Sequence, residues 1–411
     1  MPYLDYAASA PLRAEVLAAM RPFLERPVAN PSSQHGPGRA ARAAVETARE
    51  QVAALVGADP GEVVFTSGGT EADNLAIKGT VLARERGARH LVVSAAEHHA
   101  VLDAAEWASL EAGASVDRAP VDERCRLRLD RLGELLQPGR TALVAVMAAN
   151  NEVGTVQPVA AAAELAHAAG AAVHCDAVQA AGSPGVDMAG DGIDLLALAA
   201  HKLGGPTGVG ALVARSDRRL QPLLHGGGHE RGLRSGTLPV AAIVGFGAAA
   251  GAVLAERGRG SAQLGRLRDR LLAGLRALEP DLEVNGDPAG GVGGPAGGLP
   301  GLLSVRFPGR RSEDLLLLLD RAGVACSAGS ACASGAVTPS HVLLAMGRTP
   351  TQARETVRFS LGHGSTAADV EAAIVAVGHA LEVLAPARGA AAAPTAAAPT
   401  AAGQPAAGAV P

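Results

Sequence analysis

Short apolar runs alternate with longer stretches of helical period through the first half of the chain. Residues 62–66 read as a strand and 70–86 as a helix. Residues 90–94 read as a strand, followed by a helix over 98–112. Further strands are expected at 141–147, 171–175 and 193–199, with a helix over 159–169 between the first two. Buried strands of this length separated by helices predict an α/β fold, a mostly parallel central sheet covered on both faces. In such sheets ligands bind beyond the carboxyl ends of the strands.

The pattern changes near residue 240. An Ala/Leu/Arg-rich helical region runs to about 277, and a glycine-rich loop spans 285–298. A strand near 302–307, a helix near 312–322 and a short apolar run at 324–326 complete a smaller α+β unit. The expected division is a large domain over 14–240, a small domain from 1–13 and 241–386, and a tail over 387–411. The tail is mostly Ala, Pro, Gly and Thr with no charge after Arg388 and no apolar face, so it is expected to be disordered.

Composition narrows the class. The chain of 411 residues is 48% hydrophobic but only 2% aromatic, so Ala, Val and Leu must fill its core. Its net charge of −4 comes from interspersed acids and bases, which points away from nucleic acid and anionic membranes. The uncharged stretch 238–255 nears membrane-span length, yet Pro239 and its many Gly and Ala residues fit a buried helix leading into the second domain better. The first residues show no basic and apolar leader pattern, and four cysteines make no disulfide framework, so the cytoplasm is expected.

Lys78 and Lys202 are the only lysines among 36 basic residues. Arg stays protonated, whereas a Lys amine can lose its proton and attack a carbonyl. Lys202 follows an apolar run and precedes a glycine-rich turn, where a Schiff-base lysine would sit; chance survival is the alternative. Thr66-Ser67-Gly68-Gly69-Thr70-Glu71, between strand and helix, suits a phosphate cradle or simply a capping box. Asp176 ends a strand 26 positions before Lys202. It suits a carboxylate facing a protonated pyridine nitrogen, or a helix cap. A metal shared by His174, Cys175 and Asp176 is disfavoured, because neighbours on a strand point to opposite faces. His98 could stack on a ring or relay protons, or be a solvated loop histidine. Cys332 lies in a run of Gly, Ser and Ala that would give a reactive thiol access to an electrophile, whereas Cys326 ends an apolar run and reads as a small buried hydrophobe. A disulfide between the two would conflict with a cytoplasmic setting.

Together these segments resemble the pyridoxal-phosphate-dependent cysteine desulfurases of the class V aminotransferase family, over residues 3 to 385. The resemblance rests on Tyr3-Leu4-Asp5-Tyr6-Ala7-Ala8, Asn30-Pro31-Ser32-Ser33, the Gly69-Thr70 segment through Asn74, Glu97-His98, and Asn150-Asn151-Glu152-Val153-Gly154. It continues through Asp176-Ala177-Val178-Gln179, His201-Lys202, His229-Glu230, Arg234-Ser235-Gly236-Thr237, Gly329-Ser330-Ala331-Cys332 and Arg358-Phe359-Ser360-Leu361-Gly362.

The resemblance implies a pyridoxal-phosphate transferase fold of type I and a homodimer. It implies that Lys202 holds the cofactor, that Asp176 and Gln179 contact its ring nitrogen and hydroxyl, and that His98 stacks on it. Gly69, Thr70 and His201 would bind phosphate, and Thr237 would reach the phosphate in the partner subunit's site. Asn151 lies at the cofactor and, with Arg358, would hold the carboxylate of L-cysteine. Cys332 would take the sulfur as a persulfide, act as a transient iron–sulfur ligand through it, and pass it to an acceptor protein for iron–sulfur or tRNA-thiolation chemistry. The long loop after Cys332 resembles the housekeeping and nitrogen-fixation group. No intrinsic metal is implied. Other class V enzymes, a selenocysteine lyase or a thiol-independent β-lyase, and a catalytically silent sulfur carrier on the same fold are the alternatives. Two departures stand out. Ala199 occupies a position where the family commonly has a phosphate-binding hydroxyl, and Ser9-Ala10 replaces a Thr-Thr pair.

Overall fold

A computed structural model describes residues 1–25, 29–85, 88–287, 297–329 and 338–385. The expected tail and Cys332 lie outside the described residues. Seven strands form the larger sheet: β1 (Val63–Thr66), β2 (His90–Ser94), β3 (Ser115–Ala119), β4 (Thr141–Ala145), β5 (Ala172–Asp176), β6 (Leu195–Ala199) and β7 (Gly210–Ala214). Their order is β1-β7-β6-β5-β4-β2-β3. Only β7 runs against its neighbours; the other pairings are parallel. The sheet is therefore mostly parallel, as the pattern implied, and the carboxyl ends of β1, β5 and β6 share one edge.

Helices α1 (Ala14–Met20), α2 (Pro22–Glu25) and α3 (Gly36–Val56) precede the sheet. Between its strands run α4 (Gly69–Ala83), α5 (His99–Ala112), α6 (Leu129–Leu135) and α7 (Val159–Ala168). After it come α8 (Val240–Glu256), α9 (Arg259–Leu278), α10 (Ser312–Arg321), α11 (His341–Ala345), α12 (Pro350–Arg354) and α13 (Ala367–Val383).

Strand residues alternate between two cores, as the period of the pleat requires. Phe65, Val173, Cys175 and Leu196 pack under α3, α7 and α8 on one face. Val64, Leu143, Ala172 and Leu195 pack under α4 and α5 on the other. A second, antiparallel sheet pairs β8 (Glu283–Asn285) with β9 (Leu302–Arg306) and β9 with β10 (Thr356–Ser360). Its core unites Leu4 with apolar residues of α9, α10 and α13. The amino-terminal segment is bridged to it at Tyr3–Ala325 and Asp5–Ser360.

The stretch 238–255 is the buried helix α8, and its Ile243, Phe246 and Ala250 belong to the core of the larger sheet. Gly258, at φ +91°, breaks the helical region, and α9 leaves at 78° to α8. Among the described residues no single helix is long and apolar enough to cross a membrane.

Candidate active site

Of the residues singled out in the sequence, Gly69, Thr70, Asp176, His201 and Lys202 lie along the carboxyl edge of β1, β5 and β6. β6 ends at Ala199 and a tight turn, Ala200–Lys202, carries His201 and Lys202 off the sheet. The Lys202 amine donates to the carbonyls of Ala7 at 2.5 Å and Ala8 at 2.9 Å. Nδ1 of His201 lies 3.3 Å from Ser9 Oγ, so the serine that departs from the family pattern contacts a proposed phosphate ligand. Burial, then the Lys202 charge, push the His201 pKa down to about 4, which keeps the ring neutral.

The turn from β1 into α4 is tight. Gly68 caps α4 at φ +159°, and among the described residues no side chain caps the first amides of the helix. The capping-box alternative is thereby replaced: Glu71 accepts from the Ser67 amide at 2.7 Å and is held by Arg234 at 2.9 Å. A Cβ on Gly69 would stand 2.7 Å from a methyl of Val178 and 3.8 Å from the Ala199 Cβ. Ala199 therefore adjoins the start of α4, where a hydroxyl would face an anion.

Asp176, at the end of β5, accepts from the Val178 amide at 2.9 Å. His98 is the N-cap of α5 and its Nδ1 accepts from the Ala100 amide at 3.1 Å, so it is a fixed ring rather than a solvated loop residue. Polar atoms of Asp73, His98 and Asp176 lie within 4.8 Å of one another. Cys175 turns into the opposite core, while His174 faces Asp73, so the His174-Cys175-Asp176 run shares no common face.

Burial, then the Asp176 charge, hold the Asp73 and Glu97 carboxyls well above the usual carboxylate range. Two ionised carboxylates about 5 Å apart would repel by about 3 kcal/mol at an effective dielectric of 20. Glu97 is fully buried, and its Oε1 accepts from the Met147 amide at 2.6 Å.

Arg358, on β10, is 2% exposed. Its guanidinium donates to the Asn151 carbonyl at 2.9 Å and to Asp5 at 2.8 Å, and its Nε has no partner among the described residues. Asn150 uses its side chain to bind Ala96 O and the amides of Glu152 and Val153, which fixes the turn that carries Asn151. Glu152 in turn touches both flanks of the segment containing Cys332. Ser340 Oγ donates to it at 2.5 Å, and a Cβ on Gly329 would meet its Oε2 at 2.7 Å. Cys326 is half-buried with a free thiol whose pKa burial pushes up to about 12.

A cavity of about 380 Å³ opens between the two sheets. Tyr6, Ala7, Gln179, Lys202, Ser360 and His363 are among its lining. Thr237 is not; it stands exposed on the 224–237 segment. Glu230 ties that segment to the sheet by accepting from the Phe65 amide at 2.7 Å and from Arg49 at 2.8 and 2.9 Å. Sequence reasoning assigned no role to Asp73, Glu152 or Glu230, although all three stand inside the quoted motifs. Polar residues within such motifs were the available signal.

Comparison with known proteins agrees with this geometry. The aminotransferase class-V model matches residues 2–373. An IscS-like cysteine desulfurase of Mycobacterium tuberculosis is 44% identical over 91% of this chain and 94% of its own length. A solved NifS-like protein superposes with a TM-score of 0.85 at 34% identity, covering 93% of this chain and 99% of its own. A solved structure described as SspA in complex with cysteine gives a TM-score of 0.75 at 34% identity, covering 88% of this chain and 99% of its own. The chain belongs to the class-V aminotransferase family. That family and the cysteine desulfurases within it depend on pyridoxal phosphate.

Proposed function

We propose that this chain is a cysteine desulfurase that uses pyridoxal 5'-phosphate to convert L-cysteine to L-alanine and leaves the sulfur on Cys332. The observation that carries the reading is the convergence of Lys202, Asp176 and the uncapped start of α4 on one sheet edge. The residues fit the cofactor. Gln179 has a buried side-chain oxygen with no partner among the described residues, as a residue waiting for a ring hydroxyl would. Gly69 leaves the anion site open where any side chain would strike Val178.

Bound there, the cofactor supplies an electron-accepting ring that stabilises the charge left when the substrate loses its Cα proton. Lys202 is its attachment point and the base that takes and returns that proton. Asp176 holds a proton at the ring nitrogen, His98 covers the ring, and Gln179 bonds its hydroxyl. The amides of Gly69 and Thr70, with His201, bind the phosphate; a helix start favours an anion. Arg358 and Asn151 orient the substrate carboxylate. The Cys332 thiolate attacks the substrate sulfur. The C–S bond breaks, an S–S bond forms, and the thiol's proton ends on L-alanine, so cysteine plus thiol gives alanine plus persulfide.

Thr237 completes the phosphate site of a second copy in a homodimer, and an acceptor thiol on another protein takes the persulfide sulfur in the cytoplasm. The division into a large domain over 14–240 and a small domain of 1–13 and 241–386 is part of this reading; α8 packs in the core of the larger sheet and α9 in that of the smaller. Replacing Lys202 by Ala tests the reading. It should abolish alanine formation and the visible absorbance of bound cofactor; turnover retained by that variant overturns it.

A further inference from the structure

Beneath Asp176 lies a buried pair that the proposed chemistry does not use. His174 precedes Asp176 by two positions on β5, so both side chains leave the same face. Asp73, in the second turn of α4, reaches Nε2 of His174 at 3.0 Å. His174 is 0% and Asp73 1% exposed. The other ring nitrogen, Nδ1, lies 3.2 Å from the carbonyl oxygen of Leu195. A backbone carbonyl only accepts, so Nδ1 carries a proton. Nε2 of the neutral ring is then a bare acceptor facing a carboxyl group. Two arrangements satisfy that contact: an Asp73 acid donating to a neutral ring, or an imidazolium donating to a carboxylate.

The surroundings decide between them. Asp176 from β5 acts on both members of the pair and His98 from the cap of α5 acts on Asp73, while Asp73 in turn acts on the buried Glu97 beside His98. An ionised Asp73 would put a second negative charge beside Asp176 in a dry site. Burial acts in the same direction, lowering the His174 pKa to about 4 and raising that of Asp73.

We propose that Asp73 and His174 form a neutral clasp, Asp73 Oδ–H donating to His174 Nε2, which fixes the start of α4 against β5. The clasp sets the spacing between the α4 amides, which would take the phosphate, and Asp176, which would take the ring nitrogen. It does so without adding charge next to Asp176. Asp73 and His174 are thus positioning residues, an inference that rests on the cofactor reading above.

The test pairs two variants with a direct look at the proton. Asp73→Asn keeps a donor toward Nε2 and carries no charge; Asp73→Ala removes the donor and leaves His174 unsatisfied. Asp73→Asn should hold the dissociation constant for pyridoxal phosphate within about threefold of wild type. Asp73→Ala should weaken it by roughly tenfold or more, as loss of a buried hydrogen bond implies. Nitrogen-15 NMR of labelled histidine, with His174→Gln assigning the signal, should show a neutral ring protonated at Nδ1 from about pH 5 to 8, with and without cofactor. A doubly protonated His174, or an Asp73→Asn variant as impaired as Asp73→Ala, overturns the neutral clasp. Unchanged cofactor affinity in Asp73→Ala overturns the positioning role. If wild type takes up no pyridoxal phosphate, the cofactor reading and the positioning role fall, while the NMR signal still decides where the proton lies.

Discussion

Replacing Glu97 by Gln should make the protein more stable than wild type by an amount that grows with pH. Glu97 is fully buried, one carboxyl oxygen accepts from the Met147 amide at 2.6 Å, and the other has no partner among the described residues. Burial and then the Asp176 charge raise its pKa well above the ordinary 4.5. In the unfolded chain the group loses its proton above that ordinary value, whereas in the folded protein it keeps it. The folded state therefore binds more protons, and wild-type stability falls as pH rises, by about 1.4 kcal/mol per unit while the buried acid stays protonated. Gln keeps the acceptor for Met147 and has no proton to lose. Above the ordinary carboxylate value the difference between variant and wild type should therefore widen steadily with pH in favour of the variant, for as long as the folded protein keeps the Glu97 proton. His174 and His201, whose depressed pKa values make stability fall as pH drops from about 6.5 toward 4, act equally in both proteins and cancel in the difference. Urea unfolding of both proteins across this range, at one cofactor concentration, reads it out. A difference that stays flat, or that shrinks with rising pH, refutes a protonated Glu97.

Glu230→Ala should destabilise the protein by about 1–3 kcal/mol, because the buried Phe65 amide loses its acceptor and Arg49 keeps only the exposed Glu46 as a partner. Urea unfolding measures the loss. Ala199→Ser should tighten pyridoxal phosphate binding by roughly three- to tenfold, one hydrogen bond's worth, read by cofactor titration. Unchanged affinity there would move the phosphate away from the junction of Gly69 and Ala199.

The framework of the site was legible because its residues sit at element boundaries. β2 was read at its observed limits, and Asp176 and Lys202 fell at or just past strand ends. β3 and β7 were not read. β3 is an edge strand whose Ser115, Asp117 and Arg118 interrupt any alternation. β7 is a run of Gly, Ala, Leu and Val behind a glycine-rich turn, in a chain where Ala and Leu fill helices and strands alike. The bend between α8 and α9 was hidden for the same reason, because both flanks keep helical composition. The buried polar contacts were beyond reach of any local pattern. Asp73 meets His174 across 101 positions, and Arg49 meets Glu230 across 181. Each residue alone reads as an ordinary surface charge or strand histidine; only the fold supplies its partner.

Alanine and sulfide released from L-cysteine in the presence of a reductant, compared between wild type and Cys332→Ala, tests the central claim most directly. The account predicts equal amounts of both products from wild type and neither from the variant, with bound cofactor unchanged. Equal activity in the two proteins would contradict it, leaving a thiol-independent lyase on the same fold.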